Sequence, residues 1–150
     1  MKKLMLFGFA VFVVVLAVTK ESIADTNKEQ KLQGVLQKMH DHHNTCSKEF
    51  GQPPGYLIQG FQNIKKEDEA KVGAFSLCVL SKLGLISENG AIIEDGVRSF
   101  ITDFHGDSDR EKKLVQKVLT ICKPLVDSQL TPQYKALAFA QCKEKQVKPK

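Results

Sequence analysis

The sequence predicts an all-α domain of six helices stapled by cysteine bridges. Three observations carry that expectation. Apolar residues recur at intervals of three and four through most of the chain, the spacing of a helix face, and no stretch reads as a strand. Helix-start and helix-stop residues stand at the ends of those periodic stretches. Four cysteines, Cys46, Cys78, Cys122 and Cys142, fall in four different predicted helices.

The first residues read as an address. Lys2 and Lys3 precede an unbroken apolar run of 15 residues, Leu4 to Val18. Ser22-Ile23-Ala24 then offers small residues at the two positions that signal peptidase inspects, so a cut before Asp25 is expected. The rival reading, a membrane anchor, asks for ~20 apolar residues.

Helix one is expected from Thr26, because Thr26-Asn27-Lys28-Glu29 has capping-box spacing. Leu32, Val35, Leu36, Met39, His43 and Cys46 form its apolar face. Pro53-Pro54-Gly55 breaks the chain, and a short second helix is expected around Tyr56 to Gly60. The third follows Glu67-Asp68-Glu69, acids that suit the positive end of a helix. It shows Val72, Phe75, Cys78, Val79 and Leu83, with Gly84 placed as a left-handed cap and Leu85 packing back. Ser87-Glu88-Asn89-Gly90 is a turn by composition. A fourth helix carries Ile93, Val97, Phe100, Ile101 and Phe104 and stops at His105-Gly106-Asp107. The fifth opens on a second capping box, Ser108-Asp109-Arg110-Glu111. Its stripe runs from Leu114 through Val118, Leu119 and Cys122 to Val126, with Pro124 near the end. The sixth begins with Thr131 as N-cap and Pro132 in the first helical position, where proline fits. Tyr134, Leu137, Ala138 and Cys142 line one side. The closing KEKQVKPK is expected to be a polar tail that cannot bury itself.

The full chain has 22 basic and 17 acidic residues. Removing Lys2, Lys3, Lys20 and Glu21 with the leader leaves 19 and 16, a net charge of +3. That balance, scattered along the chain, argues for a solvated surface and against nucleic acid. An even number of cysteines in a small secreted chain reads as two disulfides, and three pairings are open. Zinc is the rival, but the gaps of 31, 43 and 19 residues contain no C-x-x-C pair.

Catalytic equipment is hard to find. There is no G-x-S-x-G elbow, no H-E-x-x-H and no phosphate-binding glycine loop. His40-Asp41-His42-His43 resembles the His-Asp pair of secreted phospholipases, yet lacks the adjacent cysteines and the glycine-rich calcium loop of those enzymes. A metal held by His40 and His43 would need a third ligand that the sequence does not identify. Asp107 and Asp109 lack the glycine and closing ligand of an EF-hand. No enzymatic activity, cofactor or metal is therefore expected. Six phenylalanines remain after the leader, and by composition they read as plain core.

The cysteine placement resembles that of the insect odorant-binding proteins, secreted six-helix carriers of small apolar molecules. Their usual pattern has six cysteines, the second and third separated by three residues and the fifth and sixth by eight. Laid on this chain, it makes Cys46 the first, Cys78 the third, Cys122 the fourth and Cys142 the sixth. The second falls on Ala74 and the fifth on Gln133. Both absent cysteines belong to one bridge, so no thiol is orphaned, as in the four-cysteine "minus-C" subgroup. Residues 80 to 96, LSKLGLISENGAIIEDG, are similar to the family's segment between helices three and four.

The resemblance implies the pairing Cys46–Cys78 and Cys122–Cys142. It implies residues 1–24 as signal peptide and 25–150 as a single helical ligand-binding domain around an internal apolar cavity. Met39, Phe75, Phe100, Phe104, Val118, Leu119 and Phe139, all on inward stripes, are the expected wall, with Tyr134 offering a hydrogen bond. The expected partners are a small apolar ligand and a membrane receptor that accepts it, the protein being a monomer or weak homodimer. His42, His43 and His105 are candidates for coupling acidification to release. The eight residues after Cys142 are expected to be too short and polar to plug the cavity, as longer tails do in some relatives. The competing class is a secreted signalling or effector protein that uses the same scaffold for protein contacts.

Overall fold

The computed structural model of the chain describes residues 19–57 and 60–147. The expected leader therefore lies almost wholly outside the described residues. No helix among those residues is long and apolar enough to cross a membrane. The chain divides into two compact units, Met1–Gly34 and Val35–Lys150. What is described of the first is one stretch of helix. The second holds the remaining elements and both disulfides.

Among the described residues there are five α-helices rather than six: α1 (Thr19–Glu49), α2 (Glu69–Lys82), α3 (Glu94–His105), α4 (Asp109–Asp127) and α5 (Pro132–Val147), with one 3₁₀ turn at Lys66–Asp68. α1 is already helical at Thr19, the first described residue, seven residues ahead of the expected Thr26. Nothing from Thr19 to Asp25 stops a helix, since neither proline nor glycine occurs there. A capping box marks a start only where the residues before it leave the helical region.

α1 is closed off just beyond Glu49 by Gly51, whose φ of +63° is left-handed. The Gly51 N–H donates to the Lys48 carbonyl (3.1 Å) and the Gln52 N–H to that of Ser47 (2.7 Å), a Schellman closure. The short helix expected around Tyr56 to Gly60 is not formed by its described part. Residues 54–57 are a turn in which the Tyr56 N–H reaches Pro53 (3.2 Å), and residues 58 and 59 lie outside the described residues. The paired prolines and a left-handed Leu57 (φ 61°) keep this segment from winding.

α2 closes as the sequence predicts. Gly84 takes φ +75°, Leu85 donates to the Leu80 carbonyl (3.0 Å), and its side chain is buried. The turn at residues 87–90 follows, framed by an isolated antiparallel bridge between Ile86 and Ile92. α4 starts as expected after Ser108, but the Ser108 side chain makes no capping hydrogen bond, so this capping box sets position without its bond. At α5 the cap is made: the Tyr134 N–H donates to Thr131 Oγ1 at 3.2 Å.

α2 packs along α5, α5 along α4, and α4 along α3. Their shared core is apolar and closed, with Val97, Val118, Cys122, Val126 and Phe139 within 1 % of full burial. A second, smaller cluster gathers Cys46, Phe75 and Val79 where α1 meets α2, with Phe50 and Tyr56 against it. The disulfides pair Cys46 with Cys78 and Cys122 with Cys142, at Cα separations of 5.9 and 5.6 Å. One bridge lies in each cluster.

Candidate functional site

Between the C-terminal part of α1, the loop after it, α2 and the end of α5 lies a pocket of about 480 Å³. That size falls within the ~300–1,000 Å³ typical of small-molecule sites. Its floor is buried: Ser76 and Val79 from α2, Leu80 beside them, and Ala140 from α5. Its rim is half-buried, made of Met39 and His43 on α1, Leu57 and Phe61 in the loop, Leu83, and Lys143, Glu144 and Val147 on α5. The exposed part of the wall is mainly apolar.

Helical spacing explains the α5 contribution. Ala140, Lys143, Glu144 and Val147 recur at three and four residues, so they share one side of the helix. The tail expected to stay polar and unburied is instead helical to Val147, and Val147 packs against the main core. Residues 148–150 lie outside the described residues.

Four hydrogen bonds clasp the loop to this end of α5. The Phe61 N–H and Gln62 Nε2 both donate to Glu144 Oε2, each at 3.0 Å. Gln62 Nε2 also reaches the Gln141 carbonyl, and Gln141 Nε2 returns a bond to the Phe61 carbonyl, each at 3.1 Å. These groups are part-buried, where leaving a donor or acceptor unmade costs ~1–3 kcal/mol. Gly60, at φ +112°, faces the Glu144 carboxylate so closely that a Cβ would collide with it. The clasp thus fixes the loop side of the pocket.

Three titratable side chains belong to the wall. His43 meets the Phe75 ring edge-on at 5.0 Å. Burial, and next the charge of His40, push its pKa below the usual value; a hydrogen bond with the Tyr56 backbone acts the other way. Lys143 is half-exposed as a whole residue, yet its ammonium is crowded by protein and lies 5.1 Å over the Phe100 ring. Desolvation lowers its pKa, and the Glu144 carboxylate opposes that shift. Glu144 is the acceptor of the clasp.

Of the residues expected to form the wall, Met39 lines this pocket. Phe75 lies directly behind His43 and Tyr56, fully buried. Phe100 and Phe104 stack on one another at 6.0 Å, and Phe100 touches the pocket through Lys143. Val118, Leu119 and Phe139 sit in the main core. Tyr134 is half-buried in the first turn of α5, away from the pocket wall. His42 is half-buried on α1, and His105 contacts Phe104 edge-on at 4.7 Å. This pocket is open along its half-buried rim.

A second depression, larger at about 590 Å³ but more open to solvent and more polar, is lined by Ala74, Cys78 and Gln133, together with Phe50, Leu77 and Ile86 among others. The two positions aligned with absent cysteines therefore face one groove. Their backbones are close: a Cβ built on Gly73 would stand 2.6 Å from the Gln133 carbonyl oxygen. Among the described residues, no group of three or more His, Cys, Asp and Glu side chains is placed to hold a metal ion.

The model of the PBP/GOBP family matches residues 26–146 of this chain. The chain belongs to that family. It is the insect odorant-binding family, and two disulfides from four cysteines fit its minus-C subgroup. The family is one of binding proteins rather than enzymes. No curated protein and no solved structure matches the chain.

Proposed function

We propose that this protein is a secreted carrier which takes a small hydrophobic molecule into the pocket between α1, α2 and α5 and moves it through extracellular fluid. The observation that carries the reading is the pocket itself, an apolar recess with a few polar groups, in a member of a binding-protein family. Such a site gains affinity by area, each methylene taken from water contributing ~0.8 kcal/mol. With few polar handles it accepts a range of apolar chains. The leader-like residues 1–24 and the two disulfides, which persist in oxidising compartments, support export. A membrane receptor that takes over the ligand belongs to the same reading.

The test is displacement of an environment-sensitive apolar dye from the purified, disulfide-bonded protein. Long-chain alcohols and esters are expected to compete at low micromolar concentration or better. If no apolar compound binds better than high micromolar, the carrier reading fails and an effector acting through protein contacts takes its place.

A further inference from the structure

Lys143 is the one lysine or arginine among the described residues of the pocket wall. The wall it shares is otherwise largely apolar, with Phe61, Leu83, Ala140 and Val147 beside the polar Ser76, His43 and Glu144. Among the described residues no carboxylate forms an ion pair with it. The Phe100 ring beneath its ammonium offsets part of the cost of drying a cation, as aromatic faces do. The acid next to it in sequence, Glu144, is already committed to the loop, with Oε2 accepting from the Phe61 N–H and Gln62 Nε2. His43, the third titratable group of the wall, is held towards its neutral form by burial.

A desolvated charge without a counter-ion is costly, and a ligand that supplies the counter-ion removes that cost. Glu144 is the weaker candidate for holding a head group, that of a cationic amphiphile, because two loop donors already hold its Oε2 and Lys143 on the same wall would repel such a head. The four-carbon stem of a lysine lets its ammonium pivot towards an anion while the stem stays against apolar surface.

We propose that the pocket selects an amphiphile with an ionised carboxylate head, a long-chain carboxylic acid, and that Lys143 receives the carboxylate while the chain lies against Val79, Leu83 and Val147. The proposal rests on the carrier reading and narrows it to one ligand class.

The experiment compares three competitors of equal chain length, dodecanoate, dodecanol and dodecylamine, against a bound apolar dye, all below their aggregation concentrations. Wild-type protein is expected to bind dodecanoate roughly tenfold tighter than dodecanol, the order of a hydrogen bond to a charged group, and dodecylamine weakest. In Lys143→Met the ratio of dodecanoate to dodecanol affinity should fall to about one, while Lys143→Arg should keep most of the preference. Equal binding of acid and alcohol to the wild type overturns the proposal and leaves the carrier reading standing. So does a preference that survives in Lys143→Met. If none of the three displaces dye from the wild type, the carrier reading falls and takes the proposal with it. The wild-type comparison needs no variant, so a misfolded mutant does not blunt the test.

Discussion

The two sides of α5 do different work. Towards α4, Ala136, Phe139 and Cys142 close a dry core, and Cys142 is bridged to Cys122. Towards α1 and the loop, Ala140, Lys143, Glu144 and Val147 leave a recess of about 480 Å³ with charged groups at its rim. Sixteen residues of one helix thus close a core on one side and line the proposed binding pocket on the other. The difference between the faces is one of burial: Ala136 and Phe139 are fully buried, whereas Lys143, Glu144 and Val147 are half-buried around a recess whose loop side is tied down by hydrogen bonds. Mutations on the two faces should therefore separate stability from binding.

The largest effect is expected at Phe139, which is fully buried. Phe139→Ala should lower unfolding free energy by ~3–5 kcal/mol in urea titrations, with dye affinity of the remaining folded fraction little changed. If it abolished binding at equal folded fraction, the division between the faces would be wrong.

The disulfides sharpen the same contrast. Replacing either pair by serine should cost ~2–4 kcal/mol. Cys46 and Cys78, however, hold the α1 segment carrying Met39 and His43 to the α2 segment carrying Val79. Losing that bridge should weaken dye binding several times more than losing Cys122–Cys142, at temperatures where both variants stay folded. Equal losses would say that the bridges act on stability alone.

A gain should be smaller than these losses. Ala74→Cys with Gln133→Cys should form a third bridge between α2 and α5, read as the absence of free thiols by mass spectrometry after alkylation. The shared groove and the close approach at Gly73 put the two positions within reach. Two free thiols after oxidation would contradict the alignment with six-cysteine relatives.

The smallest effect concerns pH. Because burial depresses the His43 pKa in the folded state, the unfolded chain binds the proton more readily. Its contribution to stability is whole above the unfolded value of ~6.5, declines as pH falls below it, and levels off beneath the folded pKa. The urea midpoint of wild type should therefore drop between pH 7.5 and 5, and His43→Gln should flatten part of that slope. An identical slope in the variant would remove His43 from the account.

Much of the core was legible because it obeys periodicity. The Gly84–Leu85 cap, the Thr131–Pro132 start and the stripes through Val118 and Phe139 are local patterns that tertiary structure had only to accept. The pocket was less legible for physical reasons. Lys143 and Glu144 look like a solvated tail until a loop some eighty residues away in sequence bonds to Glu144 and Gln141, with separations of 79 to 83. One signal was present: Ala140 and Val147 continue the helical spacing past Cys142, so a stripe rather than a tail was there to be read. The start of α1 was misjudged because a capping box was read without asking whether the residues before it would stop winding. The phenylalanines were expected in the wall because they sit on inward stripes, and a stripe does not say whether a side chain faces the core or the pocket. Phe61, which lies in a loop without periodicity, lines this pocket.

The central claim is that ligand lies between α1, α2 and the end of α5. Intermolecular NOEs from a bound long-chain ligand to assigned methyl groups test it most directly. The account predicts contacts to Met39, Leu83, Ala140 and Val147. Contacts confined to Val118 and Leu119 in the main core, or to Leu77 and Ile86 in the groove beside Gln133, would contradict it.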